Sequence, residues 1–559
     1  MQVLSLHEGI RMEMSGAEIK TQAMDHHGLV ATVCKDLNVA EKIDQRIRGR
    51  DPRRIISAGT AAVGMILNGL GFTNRRLYLT PQFFESKPIE RLLKEGIEAK
   101  DLDDHALGKA LDEIADYGAS QLFGEVSFEI ALEHNLLGQT ANLDTTSLSV
   151  EGKYDRETGD GVMALTYGYS KDRRPDLKQA VLSLVTSGTS AIPIWMEPLD
   201  GNSSDKKSFH ETIKKVRDFQ KQIKKGPDFK WVADSALYTK NKLLKQTDYL
   251  WLSRVPETIK EARDLLERQD QAIDWKPHEK GYKSASFKSC YGEVAQRWLL
   301  VYSQQAYDRE KKTFEKKLKK QEDALTKALW HLGNQSFACE QDAKKAMNDL
   351  AKHYEYYKIK MSIVPIQKHT TCGRPKLGKV GKTIGYQIRA AIEIDAIKIE
   401  EFLNRKGRFI LATNDLDKEN FSDEQMLKEY KDQQHVERGF RFLKDPWFMV
   451  DSVFLKSARR IEALMMIMTL CLLVYNVAQY RLRQALKIEN ETLPNQLNKP
   501  IQNPTMRWIF QIMEGIGVVQ FFQKNILKPV KEVISNLSDL RKKIIRLFGK
   551  TACQIYGIS

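Results

Sequence analysis

Asp144, Asp234 and Glu437 have the residue type and setting for chemistry on a hard metal ion. Asp144 lies within ANLDTTSLSV and Asp234 ends FKWVADS, both short apolar runs with strand character. A charge inside or at the tip of a core strand is costly to bury unless it is paired or metal-bound. Adjacent strands set two such carboxylates side by side; a lone strand aspartate is also commonly a cap or an ion-pair member. Glu437 belongs to a helix starting at Ser422, where Ser422 and Gln425 have the spacing of a capping box. On that helix Tyr430, Gln433, Gln434, Glu437, Arg441 and Lys444 share one face, and Val436, Phe440 and Leu443 form the apolar stripe beside it. An ordinary amphipathic helix with a Glu437–Arg441 pair has the same spacing. Three carboxylates, one of them bridging, suit two Mg²⁺ (or Mn²⁺) ions roughly 3.5–4 Å apart, which clamp the attacking and leaving oxygens of a phosphodiester. Arg441 and Lys444 then face DNA phosphates, contacts that fix register without reading sequence.

The elements that must position these residues are legible from periodicity. Residues 20 to about 135 read as helical, with Ile55, Ala58, Ala61, Ala62, Met65 and Leu67 on one face and Gly69 as a stop. Arg46, Arg48, Arg50, Arg53 and Arg54 precede that helix, as a DNA-contacting edge or a solvated face. From residue 139, ANLDTTSLSV, VMALTYGYS and AVLSLVTS read as three strands in succession, joined by turns such as RETGDG. A helix at 206–225, the strand FKWVADS, a helix near 239–247 and the strand YLWLSRV follow. A meander followed by alternation predicts a mixed sheet flanked by helices. Residues 257–405 interrupt it with a helical hairpin between strand-like pieces, and RFILATN (408–414) resumes the sheet. The expected division is an N-terminal helical DNA-binding domain (1–135), a core in two parts (136–256 and 406–458), an inserted α+β subdomain (257–405) and a C-terminal helical region (459–559).

Length and composition agree. A chain of 559 residues with 42% hydrophobic and 29% charged residues is globular, of roughly two to four domains. The net charge of +15 favours a polyanionic partner, because neutralised phosphates release counterions. Composition alone leaves nucleic acid and an anionic membrane surface both open. Six cysteines without a C-x-x-C pair argue against a zinc or disulfide framework and fit a reducing compartment. The start MQVLSLHEGIRMEMSG reads as no signal peptide. Ala463–Ala478 is apolar over sixteen residues, short of the roughly 20 that span a bilayer, and reads as a buried core helix.

Four segments carry a resemblance: LDTTSLSV around Asp144, YGYSKDRRPDLKQ at 167–179, VADSALYT around Asp234, and YKDQQHVERGFRFLK. Together they resemble bacterial insertion-sequence transposases of the DDE class, cut-and-paste enzymes with an RNase H-like core and an insertion before the final glutamate. The last segment matches their signature Y-x2-R-x3-E-x6-K at Tyr430, Glu437 and Lys444. Gln433 stands where the family has arginine, so that phosphate contact is weakened or supplied by Arg438 or Arg441. DHHGLVATVCKDLNVAEKID at 25–44 also resembles the N-terminal helical region of one branch. The resemblance implies that Asp144, Asp234 and Glu437 hold two divalent ions, and that Tyr430, Gln433, Arg438, Arg441 and Lys444 touch DNA. It implies nicking at transposon ends, attack by the freed 3′-hydroxyl, a homodimer on paired inverted repeats, and a cytoplasmic, nucleoid-associated enzyme without a membrane partner. In relatives the insertion holds a hairpin or a flipped base, often on a tryptophan. Here Trp298 and Trp330 read as core residues and Trp275 as a weak candidate, with CGRPKLGKVGK (372–382) a DNA-contacting loop or a solvated turn. An RNase H-like nuclease or resolvase that cuts without joining, and a non-catalytic DNA-binding protein, are the alternatives.

Overall fold

The computed structural model describes residues 12–14, 17–47, 54–72, 79–152, 154, 162–188, 190–243, 248–368, 381–445, 455, 457–523 and 529–558. The chain forms two compact units, 1–253 with 425–559, and 254–424. The second extends on both sides of the insertion drawn from the sequence and includes the strand Arg408–Thr413.

The first unit is built on a mixed sheet whose strands run in the order Pro193–Leu199, Lys178–Ser187, Thr140–Val150, Lys230–Ala233 and Trp251–Arg254. The first three form an antiparallel meander, and the last two continue it in parallel. This is the mixed sheet flanked by helices that the sequence predicts, with one correction. VMALTYGYS is not a strand: residues 162–170 are irregular apart from a single bridge between Thr166 and Gln179. The third meander strand is Pro193–Leu199 instead.

The apolar run at 463–478 forms the middle of one helix, Ala458–Ile488, buried among the helices His27–Asp36, Ala58–Gly69, Asp104–Tyr117 and Ala119–Glu133. By length and composition this helix alone among the described residues could cross a membrane, yet it is core. Ala58–Gly69 begins at Ser57, whose Oγ accepts from the Thr60 N–H at 3.1 Å, and ends at the expected glycine. Neither end of the unit is wholly helical as expected. Gly517–Gln523 pairs antiparallel with Ala17–Ala23 on one side and Lys531–Ser535 on the other. The expected arginine edge is also revised where it can be seen. Arg46 bonds Glu125 at 2.9 Å and Glu129 at 2.5 Å, and Arg54 bonds Glu113 at 2.5 Å, so both serve internal ion pairs. Arg48, Arg50 and Arg53 lie outside the described residues.

In the second unit Arg408–Thr413, Gln296–Ser303, Tyr282–Ser289 and Lys276–His278 pair antiparallel in that order. The expected helical hairpin is present as Gln304–Gly333 and Glu340–Ala351, beside a two-stranded ribbon of Tyr357–Lys368 and Lys382–Ile394. Trp298 is buried as expected. Trp330 is not a core residue: 65% of it is exposed. Trp275 is half-buried, its Nε1 donating to Asp270 Oδ1 at 3.1 Å. Most of CGRPKLGKVGK lies outside the described residues.

Candidate carboxylate site

Strand alternation sends successive side chains to opposite faces. On Thr140–Val150, Asp144, Thr146 and Leu148 share a face with their cross-strand partners Leu184, Leu182 and Ala180. That face is covered by the helix Gln434–Leu443, whose Val436, Phe440 and Leu443 join the same core as Leu148, Leu182 and Leu184. The approach is close at Gly439, where an added Cβ would lie 3.0 Å from Leu472 and 3.9 Å from Leu184. Asp144 therefore projects from the side of the sheet on which Glu437's helix packs.

Asp234 reaches the same place through the parallel pair. Leu143 is in register with Ala233, so the next residue of each strand is an aspartate beside an aspartate. Asp144 Oδ1 accepts the Thr145 N–H at 2.7 Å, and Asp234 Oδ1 accepts the Ala236 N–H at 2.8 Å. The Ser253 hydroxyl donates to the Asp234 carbonyl at 2.7 Å, fixing the strand end. Burial pushes the Asp144 carboxyl up to about 7; Lys171 and the Thr145 N–H oppose the rise, while Asp234 and Asp205 add to it. Asp234 is also raised by burial, with Asp205 adding and the Ala236 N–H and Lys171 opposing. Two neighbouring carboxylates are held up mainly by burial, and the Lys171 ammonium only partly offsets it; a divalent cation relieves such a condition. Their hard oxygens fit Mg²⁺ or Mn²⁺.

Two residues that carried no role in the sequence reading complete this surrounding. Lys171 Nζ lies 2.7 Å from the Thr145 carbonyl, 3.1 Å from Thr145 Oγ1 and 3.2 Å from Asp205 Oδ2. Thr145 Oγ1 also donates to Asp205 Oδ1. Lys171 sits in YGYSKDRRPDLKQ, so its segment was flagged. Asp205 opens the helix Asp205–Ile223 and reads in sequence as an ordinary first-turn acid.

The helix carrying the third carboxylate differs from expectation. Instead of one helix there are two, Asp423–Asp432 and Gln434–Leu443, parted at Gln433. There the N–H of Gln433 donates to the Tyr430 carbonyl at 3.3 Å and its own carbonyl accepts from Val436 at 3.0 Å. Tyr430 therefore does not share a helix with Glu437, Arg441 and Lys444. Gln433 is 8% exposed, so its side chain is not an open phosphate contact in this conformation. Glu437 is exposed, as are Arg438 and Arg441. Lys444 Nζ is held by Asp172 at 2.7 and 2.9 Å, which ties the end of this helix to the residue after Lys171. Among the described residues no group of three or more His, Cys, Asp or Glu side chains is arranged to hold a metal ion. The structure thus brings Asp144 and Asp234 together and does not close Glu437 onto them.

The chain matches a family model described as a transposase DDE domain over residues 142–474, more than half its length, and that span contains all three carboxylates. Residues 19–128 match a domain of unknown function (DUF4277). No curated protein matches the chain. Among solved structures, a piggyBac transposase synaptic complex with hairpin DNA is similar over 87% of this chain and 80% of that one, at 10% identity and a TM-score of 0.35. A likeness that slight carries no argument.

Proposed function

We propose, from the premise that this chain belongs to the transposase DDE domain family, that it cuts transposon-end DNA and joins the freed strand to a target, using Asp144, Asp234 and Glu437. The observation that carries the reading is the register of two parallel strands, which sets Asp144 beside Asp234 on the sheet face under Glu437's helix. Asp144 and Asp234 would hold the divalent ions, with Glu437 as the third ligand. When bound, Mg²⁺ or Mn²⁺ supplies charge stabilisation at the attacking and leaving oxygens of an in-line displacement. Lys171, through the Thr145 carbonyl, and Asp205, through the Thr145 hydroxyl, steady Thr145 beside Asp144. Displacement at the phosphodiester is first by water and then by the 3′-hydroxyl that this releases. Among the DNA contacts of Tyr430, Gln433, Arg438, Arg441 and Lys444, the exposed Arg438 and Arg441 take the larger share, since Gln433 is buried and Lys444 is paired. The working form is a homodimer on paired inverted repeats, in the cytoplasm and on the nucleoid.

The test is incubation of the purified chain with Mg²⁺ or Mn²⁺ and DNA carrying the element's terminal inverted repeats. Asp144→Asn, Asp234→Asn and Glu437→Gln are each expected to lose nicking and joining while retaining DNA binding. Full activity in all three variants would end the proposal. Nicked products without joined ones would leave a nuclease rather than a transposase.

A further inference from the structure

In the second unit the helix Gln304–Gly333 has two unlike faces. Phe314, Leu318, Leu325 and Leu329 recur at steps of four and seven and pack into that unit's own core. Away from them Arg309, Lys312, Lys316, Lys319, Lys320 and Lys327 recur at steps of three, four and seven, and all six are exposed. At about 100° per residue, each lies about 120° or more round the helix axis from Phe314. Between Arg309 and Lys327 the one acid on this face is Asp323, so the stripe carries six minus one, or +5. It is about 27 Å long at about 1.5 Å per residue. Among the described residues no carboxylate pairs with any of the six cations. Elsewhere in the unit Lys352, Lys358, Lys360 and Lys406 are each held by one.

Lys312, Lys316 and Lys320 follow one another at four-residue steps, where like charges repel and weaken a helix. The stripe therefore costs the fold stability, and a polyanion laid along it removes the repulsion. An anionic membrane surface fits less well, because a helix that lies in a bilayer interface buries an apolar face there, and this helix spends its apolar face on the core. A duplex carries one negative charge per about 1.7 Å of axis, which matches a long, straight row of cations. Five of the six are lysines, compact point charges without the fork that pairs with a base edge; their contacts go to phosphate and read no sequence. We infer that this stripe docks the backbone of duplex DNA without regard to sequence, on residues other than those of the glutamate helix. The choice of DNA among polyanions rests on the transposase reading.

The experiment uses the full chain in EDTA, so that binding is read without cleavage. Fluorescence anisotropy follows a labelled duplex that lacks the terminal repeats, over a series of salt concentrations. Each phosphate contact contributes about 0.9 to the slope of log affinity against log salt. Combining Lys312→Gln, Lys316→Gln, Lys319→Gln and Lys320→Gln should lower that slope by about 3–4 and weaken binding about tenfold or more at about 0.1 M salt. Asp323→Asn should strengthen binding, a gain that misfolding cannot imitate. Lys344→Gln with Lys345→Gln, exposed on the helix Glu340–Ala351, is the control and should leave the slope unchanged. A duplex bearing the terminal repeats should lose as much as the unrelated one. Wild-type slope and affinity in the fourfold variant overturn the inference. A control pair that lowers the slope as much per charge does so too, since net charge alone would then explain the binding. A loss confined to the repeat-bearing duplex overturns the sequence independence. Loss of binding to phosphatidylserine vesicles with DNA binding kept would assign the stripe to a membrane instead. Unchanged binding in the fourfold variant with end cleavage intact defeats this inference alone; weakened binding with cleavage absent from the wild type defeats the transposase reading alone.

Discussion

Replacing Asp144 with asparagine keeps the shape of the side chain and removes the charge that the sheet holds at a disadvantage. Burial lifts this carboxyl from 3.8 to about 7. Between those values the folded protein retains a proton that the unfolded chain releases, so stability falls as pH rises through the window. The contribution is therefore complete below about pH 3.8 and lost above about 7. At about 1.36 kcal/mol per pH unit, an interval of about 3 corresponds to about 4 kcal/mol. Asp144 keeps some contact with solvent, so this is an upper bound. Thermal melting of the two proteins in EDTA across this range provides the assay. Asp144→Asn should melt above the wild type at about pH 8, and the two should converge near pH 4. Added Mg²⁺ should raise the melting temperature of the wild type more than that of the variant. A variant no more stable than wild type at alkaline pH would show that burial does not destabilise the Asp144 anion, and the electrostatic case for a cation there would fall with it.

Lys171→Met removes the cation that opposes the rise at both aspartates; the pH window of the same melting experiment should move to more alkaline values, and an unmoved window would mean that Lys171 does not act on Asp144. The Lys444–Asp172 pair is partly screened, with side chains 22% and 38% exposed. A double-mutant cycle of Lys444→Met and Asp172→Asn should yield a coupling of about 0.5–1 kcal/mol; no coupling would mean that the pair does not anchor the helix.

Much of this site was readable because carboxylates inside apolar strands are conspicuous. Asp144 and Asp234 stand out by the cost of burying them, and the meander followed by alternation predicts their sheet. What sequence could not give was register. Only the pairing of Leu143 with Ala233 makes the two aspartates neighbours, and nothing in either segment encodes it. The segment of Lys171 stood out but its role did not, for a related reason: its partners Thr145 and Asp205 are 26 and 34 residues away in the chain. Trp330 failed differently. Leu329 and Leu332, on either side of it, pack against Ala343, Met347 and Ile388, whereas Trp330 lies one step round the helix from that face and is exposed.

Gln433 offers the sharpest separation of sequence likeness from local physics. The signature that this segment resembles has arginine there, which suggests that Gln433→Arg should restore a phosphate contact. The structure argues the reverse. Position 433 is a helix break with the side chain 8% exposed, so a longer, charged side chain must either overfill the space or lose its water. Overpacking costs about 1–3 kcal/mol, and an imperfectly paired buried charge costs several more. The variant should therefore melt lower than wild type, with no gain in duplex affinity and no steeper dependence of affinity on salt, since each new phosphate contact would add to that slope. Melting and salt-dependent DNA binding measure the two consequences separately. A variant that is as stable as wild type and binds DNA more tightly, with a steeper salt slope, would show that position 433 faces the substrate, and that the break between the two helices is not how this segment is arranged on DNA.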